Sequence, residues 1–144
     1  MTEYYIVEPE VAGGWGDNTE FTRTLGQHDN VTKFHYEFQG WLGDALLTST
    51  PCYIGTEMLA EAIKEKEFSG IIFDDVEVTK SELFNDIYPG RKLPKFLWFR
   101  IDGTPERDDF GITDTLDLVV SEHALEVLRQ HGLSYADVAP IHIT

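Results

Sequence analysis

The chain has 144 residues, of which 42% are apolar and 12% aromatic, and its 26 acidic side chains outnumber 11 basic ones to give a formal net charge of −15. This length is typical of one globular domain and short for two. The negative charge argues against binding to a nucleic-acid backbone or an anionic membrane surface. We therefore predict one domain over residues 1–144, with neither nucleic acid nor membrane as a partner.

Several features predict a cytoplasmic protein. No apolar run approaches the ~20 residues that a membrane-spanning helix needs, and residues 1–5 lack the basic and apolar segments of a secretory signal. Cys52 is the only cysteine, so no disulfide forms within the chain and a reducing compartment suits it. Because Cys52 lies in an apolar stretch, we predict a core position and slow reaction with thiol reagents.

The N-terminal third predicts short strands separated by glycine-rich turns. Residues 4–7 are rich in β-formers, and Pro9 ends that strand. The glycines of residues 13–18 predict a loop. Residues 31–38 alternate between apolar and polar side chains, which predicts a half-buried strand. Its inward residues are Phe34, Tyr36 and Phe38, and its outward residues are Lys33, His35 and Glu37.

Residues 56–78 and 121–143 resemble two copies of one unit, offset by 65 positions. In each copy a hydroxyl residue, Thr56 or Ser121, precedes a glutamate and an apolar helical period, which predicts an N-cap. The predicted helices are residues 57–67 and 122–131, and each leads into a strand with alternating apolar residues. A duplication and two independent helix-to-strand units would both produce this pattern.

The most strand-like segment between these copies is Phe96–Ile101. Alternation places Leu97, Phe99 and Ile101 on one buried face and Trp98 on the other. Burial of both faces would indicate a central strand. Taken together, the elements predict a single α+β domain with a mixed or mainly antiparallel sheet, two principal helices and an internal strand-helix-strand repeat.

The sequence contains no recognisable reaction chemistry. The glycines of residues 13–18 are not followed by the Gly-Lys-Ser/Thr ending of a phosphate-binding loop. No two of the five histidines have the i, i+4 spacing of a helical metal site, and no serine lies in a Gly-x-Ser-x-Gly elbow. We therefore predict no catalytic residue, no cofactor and no metal.

Five short segments of the sequence resemble, in kind and in order, those of a large group of small, mostly uncharacterised bacterial proteins. They are Pro-Glu-Val-Ala-Gly-Gly (9–14), Trp-Leu-Gly-Asp (41–44), Leu-Pro (93–94), Asp-Asp-Phe-Gly (108–111) and Leu-Val-Val-Ser-Glu (118–122). Some members of that group are similar to the immunity domains encoded beside polymorphic or contact-delivered toxins. The resemblance covers nearly the whole chain and implies toxin neutralisation, but it supplies no catalytic residues.

We therefore expect an acidic protein-binding module, in its sharpest form an immunity-type protein that neutralises a basic bacterial toxin. Opposite charge would accelerate association, and aromatic anchors would prolong the complex. One alternative is a small enzyme that uses carboxylate acid/base chemistry at Asp44, Asp108 or Glu37. Another is a structural subunit without a specific ligand.

The predicted partner-binding residues are Trp41, Asp108, Asp109, Asp114 and Asp117. The aspartates crowd a short segment with one nearby base, and Trp41 lies between glycines that disfavour a regular element. We expect these residues to form a continuous exposed surface for a basic protein partner.

Overall fold

The computed structural model describes residues 3–23, 25–26 and 30–141, and within them it contains thirteen strands and three helices. In chain order they are β1 Tyr4–Glu8, β2 Gly13–Trp15, β3 Glu20–Thr22, β4 Asn30–Lys33, β5 His35–Phe38, β6 Leu46–Ser49, β7 Cys52–Thr56, α1 Glu57–Glu65, β8 Ile71–Asp74, β9 Glu77–Lys80, α2 Glu82–Ile87, β10 Phe96–Ile101, β11 Phe110–Ile112, β12 Leu118–Ser121, α3 Glu122–His131 and β13 Asp137–Pro140. The α+β prediction is confirmed. None of the helices in these ranges is long and apolar enough to cross a membrane.

Each helix begins at a capped residue. The hydroxyl of Thr56 accepts a hydrogen bond from the Leu59 N–H, and that of Ser121 accepts one from the Ala124 N–H, both at 3.2 Å. Both predicted N-caps are therefore confirmed. Ser81 caps the short helix α2 in the same way. Helix α3 has the predicted bounds, whereas α1 ends two residues earlier than predicted.

Two four-stranded antiparallel sheets share one plan. The first sheet has the order β11-β12-β1-β13 and the second sheet has the order β6-β7-β10-β8. Along the chain, each unit consists of a hairpin, a helix and an outer strand. In the sheet, a strand from elsewhere in the chain lies between the hairpin and the outer strand and pairs with both. In the first sheet that central strand is β1, near the N-terminus, and in the second it is β10.

The strand registers of the two sheets also correspond. In each sheet the helix N-cap pairs with the first residue of the central strand, and the outer strand pairs further along that strand at the same offset. The equivalent pairs are Thr56–Phe96 and Ser121–Tyr4 at the caps, and Ile72–Arg100 and Asp137–Glu8 four residues further along the central strands. The repeat predicted from the sequence is thus a repeat of structure, and it includes a central strand that the sequence comparison did not contain.

The two units, each a four-stranded sheet with its helix, are joined by hydrogen bonds to equivalent aspartates. Asp44 accepts hydrogen bonds from the backbone N–H groups of Ser134 and Tyr135, both at 2.8 Å. Asp109 lies 65 positions after Asp44 and accepts one from the N–H of Ser69 at 3.0 Å. Ser134 lies 65 positions after Ser69, so each unit supplies an aspartate that binds the equivalent serine of the other. Such reciprocal contacts are what an approximate two-fold relation produces.

Strand β10 separates two hydrophobic cores. Leu97, Phe99 and Ile101 face the first core, which also contains residues of the first sheet and of helices α1 and α3. Phe96 and Trp98 face the second core, where they pack with residues of β5 and α2. The predicted alternation is confirmed, and β10 is a central strand because both of its faces are covered.

Three expectations for the N-terminal third are wrong. The single strand predicted over residues 31–38 is divided into β4 and β5, which belong to different sheets. Residues 13–15 form β2 instead of a loop. Gly13 permits this close pairing, since a Cβ there would lie 1.9 Å from the carbonyl oxygen of Glu37. His35 is buried although the alternation places it outward. The loop between β2 and β3 covers His35, and the Asn18 N–H of that loop donates to its Nδ1 at 3.2 Å.

Candidate partner-binding site

The structure divides the four predicted aspartates into two pairs. Asp108 and Asp109 precede β11, whereas Asp114 and Asp117 lie in the turn between β11 and β12. Because β11 and β12 form an antiparallel hairpin, the pairs lie at its opposite ends. Asp114 is exposed and the other three are partly buried.

Asp108 and Asp109 both accept hydrogen bonds from nearby residues of the chain. The Thr104 N–H donates to Oδ2 of Asp108 at 2.7 Å, closing a turn in the loop. Besides its bond to Ser69, Asp109 accepts one from the hydroxyl of Ser121 at 2.8 Å, and so braces the N-cap of α3. These contacts give both side chains a structural role, while their predicted role in partner binding stays a prediction.

Trp41 lies in a different cavity from Asp117. The Trp41 cavity has a volume of about 560 Å³ and is lined in part by Met58, Lys95 and His131. The indole is partly buried, its Nε1–H donates to the Asp44 carbonyl oxygen at 2.9 Å, and the guanidinium of Arg91 lies 4.6 Å from its ring centroid. Lys95 forms an ion pair with Glu57, another lining residue, at 3.1 Å, so this cavity has mixed charge and is not an acidic surface.

The carboxylates proposed for an enzyme, Asp44, Asp108 and Glu37, do not converge on one cleft. Asp44 is 2% exposed, and both of its oxygens accept backbone N–H groups. Asp108 closes the turn described above, and Glu37 lies on β5, in a third sheet with the order β2-β5-β9. Each of the three thus has a separate location.

An acidic cleft lies where the first sheet meets the turn between β6 and β7. It has a volume of about 300 Å³. Its charged lining residues are Glu8 and Asp117, and no lysine, arginine or histidine lines it within the described ranges. The other lining residues are Val7, Pro9, Val11, Thr48, Thr50, Tyr53, Thr115, Leu116 and Leu118. We call this site the acidic cleft.

Strand pairing aligns three carboxylates at this end of the first sheet. Glu8 of β1 pairs directly with Asp137 of β13. On its other side the β1–β12 register ends at the pair Val7–Leu118, and the next residues along the two strands are Glu8 and Asp117. Adjacent strands lie about 4.8 Å apart, and like charges placed opposite each other destabilise a sheet. A bound cationic group would relieve that repulsion.

The second sheet shows that this fold does not require acids at these positions. Arg100 occupies the place equivalent to Glu8, Ile72 that of Asp137, and Cys52 that of Asp117. The same backbone arrangement is therefore built there with one cation and no carboxylate at these three positions, and the cation, Arg100, pairs with Asp74 of β8 at 3.2 Å. We call Asp117, Glu8 and Asp137 the acidic row. The row is specific to the first sheet, since the shared architecture does not require it.

Two further features mark the acidic cleft. Leu116 has a φ of 67°, a left-handed conformation that bulky residues rarely adopt, and such strained residues occur often at functional sites. Burial raises the pKa of Tyr53 to about 12, and the charges of Asp117, Cys52 and Glu8 contribute to the rise. The Tyr53 hydroxyl therefore stays protonated near neutral pH.

Sequence reasoning found Asp117 but missed Glu8, Tyr53 and Asp137. Glu8 and Asp137 are separated by most of the chain, and only strand pairing makes them neighbours. Glu8 directly follows the predicted N-terminal strand of residues 4–7, and Asp137 lies in the second repeat. What was missing was the pairing of those two strands.

Among the described residues, no group of three or more His, Cys, Asp or Glu side chains is placed to hold a metal ion. The carboxylates of the acidic row lie on β13, on β1 and directly before β12, three neighbouring strands, and so are spread over about 10 Å.

No protein-family model matches the chain, and no curated protein matches it.

Proposed function

We propose that this protein is an acidic protein-binding module that neutralises a basic bacterial toxin in the cytoplasm. The observation that supports this function best is the row formed by Asp117, Glu8 and Asp137 at the end of the first sheet. A basic protein surface would complement the row and accelerate association at low ionic strength. The resemblance to immunity domains supports the toxin as the partner.

The acidic cleft and the Trp41 cavity lie at opposite ends of β6, and the strand residues between them, from Leu46 to Thr48, are buried. We therefore propose separate roles for the two sites. The acidic row would steer the encounter by opposite charge, and Trp41 would slow dissociation.

The test uses the product of the gene adjacent to this one, provided that it is basic, as the partner. Its association and dissociation rates would be measured by surface plasmon resonance at 50 and 200 mM salt. We expect association to slow with salt. The double variant Asp114→Lys with Asp117→Lys should slow association at low salt and flatten the salt dependence, and Trp41→Ala should mainly speed dissociation.

A matched control carries the same change in net charge elsewhere. Glu61 of α1 and Glu126 of α3 are exposed and do not line the acidic cleft. Glu61→Lys with Glu126→Lys should therefore slow association much less. An equal effect of the two double variants would reduce the role of the aspartates to net charge. Absence of binding at 50 mM salt, or failure of the chain to restore growth when the adjacent gene is expressed, would refute the proposal.

A further inference from the structure

The side chain of Tyr53 ends in a polar group that the described residues leave without a partner. Tyr53 is 5% exposed, and none of the hydrogen bonds among the described residues involves its hydroxyl. No fully buried polar side-chain atom of those residues lacks a partner, so the hydroxyl oxygen must reach solvent. Tyr53 lines the acidic cleft together with Asp117 and Glu8, and the charges of these two carboxylates contribute to the rise of its pKa.

We infer that the acidic cleft binds one lysine or arginine side chain of the partner, with Glu8, Asp117 and the Tyr53 hydroxyl as acceptors. This inference rests on the proposed function and assigns its contact chemistry. The Tyr53 hydroxyl oxygen reaches solvent and has no protein partner among the described residues, so a cationic N–H group can donate to it in place of water. Hydrogen bonds from a charged donor to carboxylates are among the stronger ones.

The walls of the cleft suit the aliphatic part of such a side chain. Val11 is 68% exposed and lines the cleft with Pro9 and Leu116. Long basic side chains commonly lay their methylene groups along apolar surface while the charged end reaches polar groups. The cleft thus offers apolar contact along its sides and acceptors near Tyr53, without a competing cation among its lining residues.

The test compares three blocked tripeptides by NMR titration of the isotopically labelled chain. Gly-Lys-Gly and Gly-Arg-Gly carry the cation, and Gly-norleucine-Gly replaces lysine by an uncharged side chain of similar shape. We expect the cationic peptides to shift signals of Val11, Leu116 and Asp117, and the norleucine peptide to bind at least tenfold more weakly. Equal binding of all three peptides, or shifts centred elsewhere, would overturn the inference.

Two variants test the acceptors. Glu8→Gln with Asp117→Asn should weaken binding of the cationic peptides at least tenfold, and Tyr53→Phe should weaken it at least threefold. Tyr53→Phe should keep the wild-type unfolding midpoint, because the hydroxyl has no partner to lose. By contrast, Tyr36→Phe should lower the midpoint, since that hydroxyl accepts from the Ala12 N–H at 3.0 Å and donates to the Thr48 carbonyl at 3.2 Å.

The two proposals fail in distinguishable ways. If the adjacent gene product binds with salt-sensitive kinetics but the tripeptides do not bind, the cleft chemistry is wrong and the proposed function stands. If the cationic tripeptides bind in the cleft but the adjacent gene product does not bind, the cleft chemistry stands and the toxin partner is refuted. Wild-type peptide affinity in both acceptor variants would overturn the inference whatever the partner does.

Discussion

Replacement of Asp44 tests the contact that joins the two structural units. In Asp44→Ala the N–H groups of Ser134 and Tyr135 lose a charged acceptor, and each such bond contributes about 1.5–3 kcal/mol. Ser134 and Tyr135 are themselves exposed, so water can replace part of the loss. We therefore expect the free energy of unfolding to fall by about 3 kcal/mol, at the lower end of the sum for two bonds.

Urea denaturation provides the measurement. With a slope near 2 kcal/mol/M, a loss of about 3 kcal/mol lowers the unfolding midpoint by about 1.5 M and leaves the slope unchanged. Asp44→Asn retains one acceptor oxygen, which is neutral, and should lose more than half as much but less than Asp44→Ala. Glu61→Ala, at an exposed position of α1, is the control and should change stability by no more than about 0.5 kcal/mol. An Asp44→Ala variant as stable as this control would refute the structural role of the carboxylate.

Three further predictions follow from local geometry. Gly13→Ala should disrupt the β2–β5 pairing and shift the amide signals of both strands, whereas Gly14→Ala, with no atom within 4 Å of the added Cβ, should leave them in place. Thr56→Ala should cost about 1 kcal/mol in urea denaturation, and Ser121→Ala more because its hydroxyl also donates to Asp109, so equal losses would contradict the reasoning. Burial raises the pKa of Cys52 from 9.0 to about 12, so the contribution of its protonated thiol to stability is present below pH 9 and is lost as pH rises towards 12. This loss of stability at high pH should be smaller in Cys52→Ala. Native Cys52 should also react with a thiol reagent more slowly than the unfolded chain does.

Local sequence signals determined the starts of the two main helices and the position of strand β10. The hydroxyl residues Thr56 and Ser121, each followed by glutamate, located two helix starts because capping depends on neighbours within one turn. Alternation located β10 and its two faces because side chains of a strand point to opposite sides at every step. Both signals lie within a few residues, so no knowledge of distant contacts was needed.

The candidate site depended on contacts between distant segments. Glu8, Tyr53 and Asp117 meet only because β1 pairs with β12 and the β6–β7 hairpin lies beside them. The sequence placed Asp114 and Asp117 in one acidic segment with Asp108 and Asp109, but the β11–β12 hairpin directs the two pairs to opposite ends. Register and sheet order are set by packing over the whole chain, so the tertiary structure alone decided which acids share a surface.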